Sequence, residues 1–447
     1  MPTSIRLNSL EDQAAKLVDL ALKAGADHCD CVVASSQSLG ISVRDGKTED
    51  TDRSESDAFS LRVFCGQRTA SVAANQADDL TALCERAVAM AKVSPDDPFA
   101  MLAPQERLAR QIPDLDLFDN SEPQVDAMKT AALECEAAGL DVNGVSKSMG
   151  ASSGWAMSGF VLATSNGFSG SYSLSRFSCS AAMIAGEGTS MQRDYDYDTK
   201  THLEDLNSPR NIGRKAGERV IKRLNPRQVA SGAFPIIFDR RQSSGLLGAL
   251  ASAINGTSIT RKTSFLRELM AQQICAEDVN IICDPLIKRG LGSRPVDGEG
   301  IETAAINFVE NGILQQWVLD CSTAKELGLN SNARAVRSGS GTAPSTTNLY
   351  IENGKTTREE MISSIESGLY LDETIGHGIN MVNGNYSKGA GGFWIENGEI
   401  AFPVSEITIA GNLKDIFRAM RPANDLEFRN ATNAPSLLVE GMTVGGE

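Results

Sequence analysis

Nucleophiles, bases and metal ligands are sparse and scattered in this chain. Its three histidines, His28, His202 and His377, lie in different segments, and no two are four residues apart on one helix. Taken alone, each has the character of a turn or surface residue. His377 is the least ordinary, because Gly376-His377-Gly378 is a flexible loop ahead of a strand-like run. Ser387-Lys388 and Ser405-Glu406 have the residue types of a nucleophile and its base. The Ser-x-x-Lys spacing is absent, and a Ser beside a Lys is common in turns. Nine cysteines, at 29, 31, 65, 84, 135, 179, 275, 283 and 321, form an odd, dispersed set that fits reduced core thiols better than a disulfide frame. Cys29 and Cys31 are the close pair. Beside Val32 and Val33 they read as strand residues on one face, and no second pair at zinc-site spacing stands nearby.

The elements that must position these residues recur. Ser9 to Ala24 reads as an amphipathic helix capped by Ser9, with Leu10, Ala14, Leu17, Leu20 and Ala21 on its stripe and Gly25 at its end. Strand-like runs follow at Cys29 to Ala34, Leu39 to Val43, Phe59 to Phe64 and Thr69 to Ala74, with Asp45-Gly46 and Gly66-Gln67 as turns. A second helix, capped by Asp78 or Asp79, stops before Pro95. Asp96 to Pro123, rich in Pro and Asp, reads as a surface linker. A helix from Gln124 to Ala138, strands at Val145 to Ser152, Gly159 to Thr164 and Gly170 to Ile184, and a helix from Arg210 to Arg223 repeat the design. Residues 1–115 and 120–225 are therefore candidates for a duplication, at the level of architecture and not of residue identity.

Composition shifts at Ser231, where glycine rises and charge falls. Phe234 to Phe238 reads as a buried strand and Asp239 as the N-cap of a helix. Leu246, Leu247, Leu250 and Ile254 share one helical face, with small residues such as Gly245, Gly248 and Ser252 between them. Asn255-Gly256 reads as the C-cap and turn. On pattern alone this is a tightly packed core helix. Short strands follow, among them Ile281 to Asp284, Ala305 to Glu310, Ile379 to Val382, Ala390 to Glu396 and Glu399 to Val404, with hairpin turns at Asn311-Gly312 and Asn397-Gly398. The expected class is α+β: helix–sheet–helix units, then a large, mostly antiparallel sheet domain around a buried helix. The expected domains are 1–115, 116–228 and 229–447.

The chain has 447 residues and a formal net charge of -15. With no clustered Lys/Arg stripe, it is a poor candidate for direct nucleic-acid contact. No apolar run approaches the roughly 18 residues of a membrane span, and the N-terminus lacks a basic-then-apolar signal layout. A cytoplasmic location is expected.

NGTSITRKTSF (255–265), directly after the core helix, resembles the TldD/PmbA family, bacterial cytoplasmic proteins that include metalloproteases. So do GLNSNARAVRSGSG (328–341), the Gly-rich stretch 376–413 and PANDLEFR (422–429), and the resemblance covers nearly the whole chain. In TldD-type members the helix carries His-Glu-x-x-x-His, two metal ligands and a proton-handling Glu. Those positions fall on Leu247, Gly248 and Ser252, none of which can ligate zinc or act as a base. The third family ligand, a Cys between Asn-Asp-Leu and Thr-Val-Gly-Gly, has no counterpart between Asn424-Asp425-Leu426 and Thr443-Val444-Gly445-Gly446. The resemblance therefore implies the PmbA/TldE branch: a subunit with no metal of its own, which pairs with a zinc-bearing TldD-like chain, or with a second copy of itself, and helps to enclose an unfolded or short peptide.

For that peptide the residues offer candidates. Gly389, Gly391 and Gly392 beside Phe393 and Trp394 could leave a strand edge open for pairing, or could simply allow bends and close packing. Arg294, Asp297 and Glu299, in a turn-rich loop, could orient a peptide or form subunit salt bridges, and His377 joins the set. Two other classes of function stay open at this point. One is a non-proteolytic, self-associating regulator, the class to which the family's label "modulator of DNA gyrase" belongs. The other is a peptidase built on His377 and the Ser/Lys pairs.

Overall fold

The computed structural model describes residues 7–75, 79–338 and 341–447. The first half of the chain builds one six-stranded sheet from β1 (His28–Arg44), β2 (Lys47–Cys65), β3 (Arg68–Ala74), β4 (Val145–Thr164), β5 (Ser169–Ala185) and β6 (Gln192–Lys200). The order is β3-β2-β1-β4-β5-β6 and every pair is antiparallel. That order is symmetric about the β1–β4 pair, so the recurrence in the sequence is two three-stranded meanders fused into one sheet. Runs that the sequence separates are continuous here. β1 passes straight through Ser35–Ser38, and β4 through Ser152–Ser158, because a central strand is held by ladders on both sides whatever its side chains.

Helices α1 (Leu7–Lys23), α2 (Leu80–Val93), α3 (Val125–Leu140) and α4 (Pro209–Lys222) cover one face of the sheet. Odd-numbered residues of β1 point at them. Cys29, Cys31 and Val33 pack with α1 and α2, while Leu39, Ile41 and Val43 pack with α3 and α4. The close cysteine pair is thus core: the Cys31 thiol reaches the Ala14 carbonyl oxygen at 3.4 Å. Asp79 caps α2, its side chain accepting from Ala82 N at 2.9 Å; Asp78 lies outside the described residues. Ser9 does not cap α1 but sits inside it, two residues after Leu7. α3 and α4 cross at glycines, so closely that a Cβ on Gly213 would stand 1.8 Å from the Cys135 carbonyl oxygen.

The second half contains β7 (Gly232–Phe238), α5 (Arg240–Ala253), α6 (Gly256–Thr260), β8 (Ile281–Asp284), β9 (Ile306–Glu310), β10 (Ile313–Leu314), α7 (Cys321–Glu326), β11 (Ala335–Ser338), β12 (Gly341–Pro344), β13 (Asn348–Ile351), α8 (Arg358–Ser363), β14 (Ser367–Ile375), β15 (Asn385–Glu396), β16 (Glu399–Asn412), α9 (Leu413–Ala419), β17 (Arg421–Pro422), β18 (Thr432–Asn433) and β19 (Leu437–Gly445). Strands β16-β15-β14-β7-β19 close into a ring, because β16 also pairs with β19. A second sheet runs β10-β9-β8-β13-β18. Among the described strands, β7–β14 and β13–β18 are the parallel pairs. Helix α5 is wedged between the two. Leu246, Leu247 and Leu250 share one core with Ile236 and Leu369 of the ring and with Ile281, Phe308 and Leu349 of the second sheet. Asn255 is not the C-cap of α5 but the N-cap of α6, accepting from Thr257 N at 3.0 Å. Residues 379–382 form a loop with one bridge, Ile379 to Tyr386, and not a strand.

The sheet face away from the helices docks on this second half. The segment read as a surface linker fills the join. Ala103, Leu115 and Leu117 are buried, and Leu115 and Leu117 accept from Arg289 N (2.9 Å) and Ser175 N (3.0 Å). At the centre of the join Asp30, 1% exposed, receives Arg62 of β2 and Arg337 of β11, each at 2.5 Å. Burial alone would raise this carboxyl; the two guanidiniums outweigh it and hold it at about 2. Asp297 and Glu299 lie behind this contact, each 3% exposed. Asp297 accepts backbone N–H groups from Glu299 (3.0 Å), Ile301 (2.8 Å) and Ala335 (3.3 Å). Glu299 Oε2 accepts from Cys321 N at 2.8 Å, while its buried Oε1 has no hydrogen-bond partner among the described residues. Burial, then the charge of Asp297, pushes Glu299 up to about 8, and burial pushes Asp297 up to about 6.

Two predictions follow from this packing. Gly213→Ala must separate α3 from α4 and should destabilise by about 1–3 kcal/mol, read as a lower denaturant midpoint at unchanged slope. The second concerns pH. A folded chain that keeps protons on Glu299 and Asp297 binds more protons than the unfolded chain between about pH 5 and 8, so this part of its stability declines as pH rises. Glu299→Gln should therefore gain on wild type steadily as pH climbs through that window. A constant difference between the two denaturant midpoints would show that Glu299 does not titrate in this way.

Candidate functional site

The strand–cap–helix unit at the heart of the second half has an open side. β7 is followed by Asp239, which caps α5 by accepting from Arg241 N at 2.9 Å, while its other oxygen accepts from Tyr370 OH at 2.5 Å. Leu246, Leu247 and Leu250 turn inward. The opposite side carries Gly245, Gly248 and Ser252, and a Cβ on either glycine would meet nothing within 4 Å. α5 begins with Arg240-Arg241 and no acid in its first turn, against the helix dipole. Tertiary carboxylates compensate: Glu427 meets Arg240 at 2.7 Å, and Asp194 meets Arg241 at 3.0 Å.

A cavity of about 430 Å³ opens at this end of α5. Its walls come from both halves of the chain: β6 and α4 on one side, and α5, α8, β14, β15 and residues 427–434 on the other. It is lined by charge and by tyrosine, including Arg219, Arg241, Arg429, Asp196, Tyr195 and Tyr370. Arg223, behind the wall, ties the two halves together through Asp194 (2.6 Å), Asp372 (2.8 Å) and Glu373 (2.9 Å). Burial pushes Asp372 up to about 7 against the pull of Arg223, with Asp194 and Asp239 adding to the rise. Asp196 holds both Arg219 (2.7 Å) and Arg429 (3.2 Å). Such a cavity can hold a polar, charged chain by hydrogen bonds and ion pairs. Ser244, on the cavity wall, donates its hydroxyl to the Arg241 carbonyl at 3.4 Å.

The residues singled out in the sequence do not converge here. Leu247 is 1% exposed in the core, Gly248 has no side chain, and the exposed Ser252 hydroxyl donates to the Gly248 carbonyl at 2.9 Å. These donors do not fit a metal ion, and among the described residues no three His, Cys, Asp or Glu side chains are grouped to hold one. Gly389, Gly391 and Gly392 lie in β15, which has β14 on one side and β16 on the other, so no open edge is offered there. Gly392 instead permits close packing: a Cβ would stand 2.1 Å from the Tyr370 carbonyl oxygen. Trp394 is buried edge-to-face against Phe234, whereas Phe393 does line the cavity. Asp297 and Glu299 are buried at the join with the sheet, where no peptide reaches them, and the half-buried Arg294 sits in the same loop. His377 is exposed in the loop after β14. His202 is buried rather than a surface residue, with Nε2 at 3.2 Å from Asp116.

The cavity itself escaped the sequence reading. Two signals pointed to it: the arginine pair in the first turn of α5, and the alternating Asp194, Asp196 and Asp198 of β6, all three buried. Among the described residues, no helix is long and apolar enough to cross a membrane.

Comparison with known proteins agrees with this architecture. Models of the PmbA/TldA metallopeptidase match in series: domain 1 over residues 29–91, the central domain over 118–224 and the C-terminal domain over 231–446. Metalloprotease PmbA of Escherichia coli O157:H7 is 33% identical over 98% of this chain and 96% of its own. The PmbA homologue of Haemophilus influenzae is 33% identical over 96% and 94%. A Bacteroides thetaiotaomicron structure labelled as a DNA gyrase modulator superposes with a TM-score of 0.91 at 26% identity, covering 100% of both chains. TldE of Thermococcus kodakarensis shares the fold, with a TM-score of 0.86 at 21% identity over 97% of this chain and 99% of its own. With relatives this similar along nearly its whole length, the chain belongs to the PmbA/TldD family of metallopeptidases.

Proposed function

We propose that this chain is the PmbA/TldE-type subunit of a TldD–TldE-like metalloprotease of the cytoplasm, acting on unfolded or short peptides and silent by itself. The observation that carries this reading is the surface of α5. At the positions where the TldD-type resemblance calls for His, Glu and His stand a buried leucine, a bare glycine and a serine bonded to its own helix. Without those donors α5 offers no seat for a Lewis acid or the water it would activate. A TldD-like partner supplies the zinc and the chemistry. This chain supplies a wall of the peptide's enclosure, and its charged cavity beside α5 is the surface it offers to a peptide. Tyr195, Tyr370, Arg241 and Arg429 orient such a chain through hydrogen bonds and charge, beside Asp372, whose carboxyl is raised by burial against the pull of Arg223.

The test is metal content and peptide hydrolysis of the purified chain, alone and mixed with its TldD-like partner. Substoichiometric metal alone, and cleavage that appears only on mixing, is the expected result. One metal ion per chain with cleavage in the absence of the partner would overturn the reading and require a different ligand set.

A further inference from the structure

The first hairpin outruns its own core. Among the described residues β3 covers β2 only along Phe59–Cys65, so Lys47–Ala58 pairs with β1 on one side and with no described strand on the other. All of Lys47–Ala58 is exposed, on both faces of the strand. The symmetry of the sheet supplies a comparison. In the other half, β6 covers β5 only from Phe177 onward, leaving Ser169–Arg176 as the equivalent edge. That edge is closed within the chain. Ser175 N donates to the Leu117 carbonyl at 3.0 Å, Asp119 N donates to Ser175 Oγ at 2.8 Å, and Arg176 donates to the Leu291 carbonyl at 2.8 Å. Nothing in the chain does the same for Lys47–Ala58 among the described residues. A long edge of free N–H and C=O groups is a template for another strand.

Charge selects which strand. Along this edge stand Glu49, Asp50, Asp52, Glu55 and Asp57 against Lys47 and Arg53. Glu49 and Glu55 have local partners in Arg44 (3.3 Å) and Arg53 (2.8 Å). Asp50, Asp52 and Asp57 have no ion pair among the described residues, and opposite them in β1 stand Ser42, Gly40 and Ser35. A second copy of this edge would set acid against acid, which is unfavourable across a strand pair. A strand carrying Lys or Arg would gain at each crossing.

We propose that Lys47–Ala58 is the docking edge for the TldD-like subunit, which adds to this sheet one strand bearing basic residues. This inference rests on the partner-subunit reading and goes further, in naming where the partner binds and by what chemistry. The experiment uses both full-length chains. Affinity is measured for wild type and for the Asp50→Lys/Asp52→Lys/Asp57→Lys variant, whose exposed substitutions leave the core intact, as its unchanged melting temperature would confirm. Amide hydrogen exchange is followed with and without the partner. The expected result is binding at least about tenfold weaker in the variant, with slowed exchange across residues 47–58 in the wild-type complex. Wild-type binding that lacks either effect overturns this inference and leaves the partner-subunit reading standing. No binding by wild type overturns both. Slowed exchange of residues 47–58 by self-association, with no partner present, overturns the choice of a heterologous strand.

Discussion

A sheet has two faces, and the helices of this protein cover only one. The other must be sealed by the second half of the chain, and it is sealed by charge as well as by apolar contact. Asp30 carries two arginines, one from its own sheet and one from β11, while Val32, Leu162, Phe168 and Val296 form a small apolar cluster beside them. Removing one partner from a buried ion pair costs about 3–5 kcal/mol, because the remaining charge is left desolvated. The join is therefore specific: a shift of the two halves would strand Arg337 without its counter-ion and leave Asp30 with Arg62 alone. Residues 96–123 belong to the same join, which is why a Pro-rich stretch carries buried leucines.

The candidate site inherits its geometry from this join. Its cavity exists because β6 and α4 are held against α5 and β14, and Arg223 is the pin, reaching Asp194 in one half and Asp372 and Glu373 in the other. The arginines at the start of α5 would be unfavourable in an isolated helix. They are compensated only when Asp194 and Glu427 arrive from distant segments. The helix that anchors the core and the helix that lines the cavity are one element, apolar on one side and nearly bare on the other.

That division of α5 leaves its glycine-rich side uncovered: a Cβ on Gly245 or Gly248 would meet nothing within 4 Å, while Leu246, Leu247 and Leu250 fill the core on the other side.

Several features were legible in the sequence because their causes are local. Asp45-Gly46, Asn311-Gly312 and Asn397-Gly398 turn with positive φ at both residues, a demand that those residue types meet by themselves. Asp79 and Asp239 cap their helices through donors two or three residues away. The apolar stripe of α5, Leu246, Leu247 and Leu250, could likewise be read directly. What tertiary structure decided is what depends on distant segments. Gly391 lies in an interior strand because β14 and β16, from either side in sequence, both pair with β15. Glu299 and Asp297 read as residues of a turn-rich loop that could orient a peptide or form subunit salt bridges, and are buried because a sheet from the other half lands on that loop. The acids of β6 alternate like an exposed strand, yet they are buried, and Asp194 and Asp196 meet arginines that lie near in sequence or more than two hundred residues away. Local backbone preferences act over a few residues and can be read in place; burial and charge pairing depend on which distant surfaces meet, and only the assembled fold determines that.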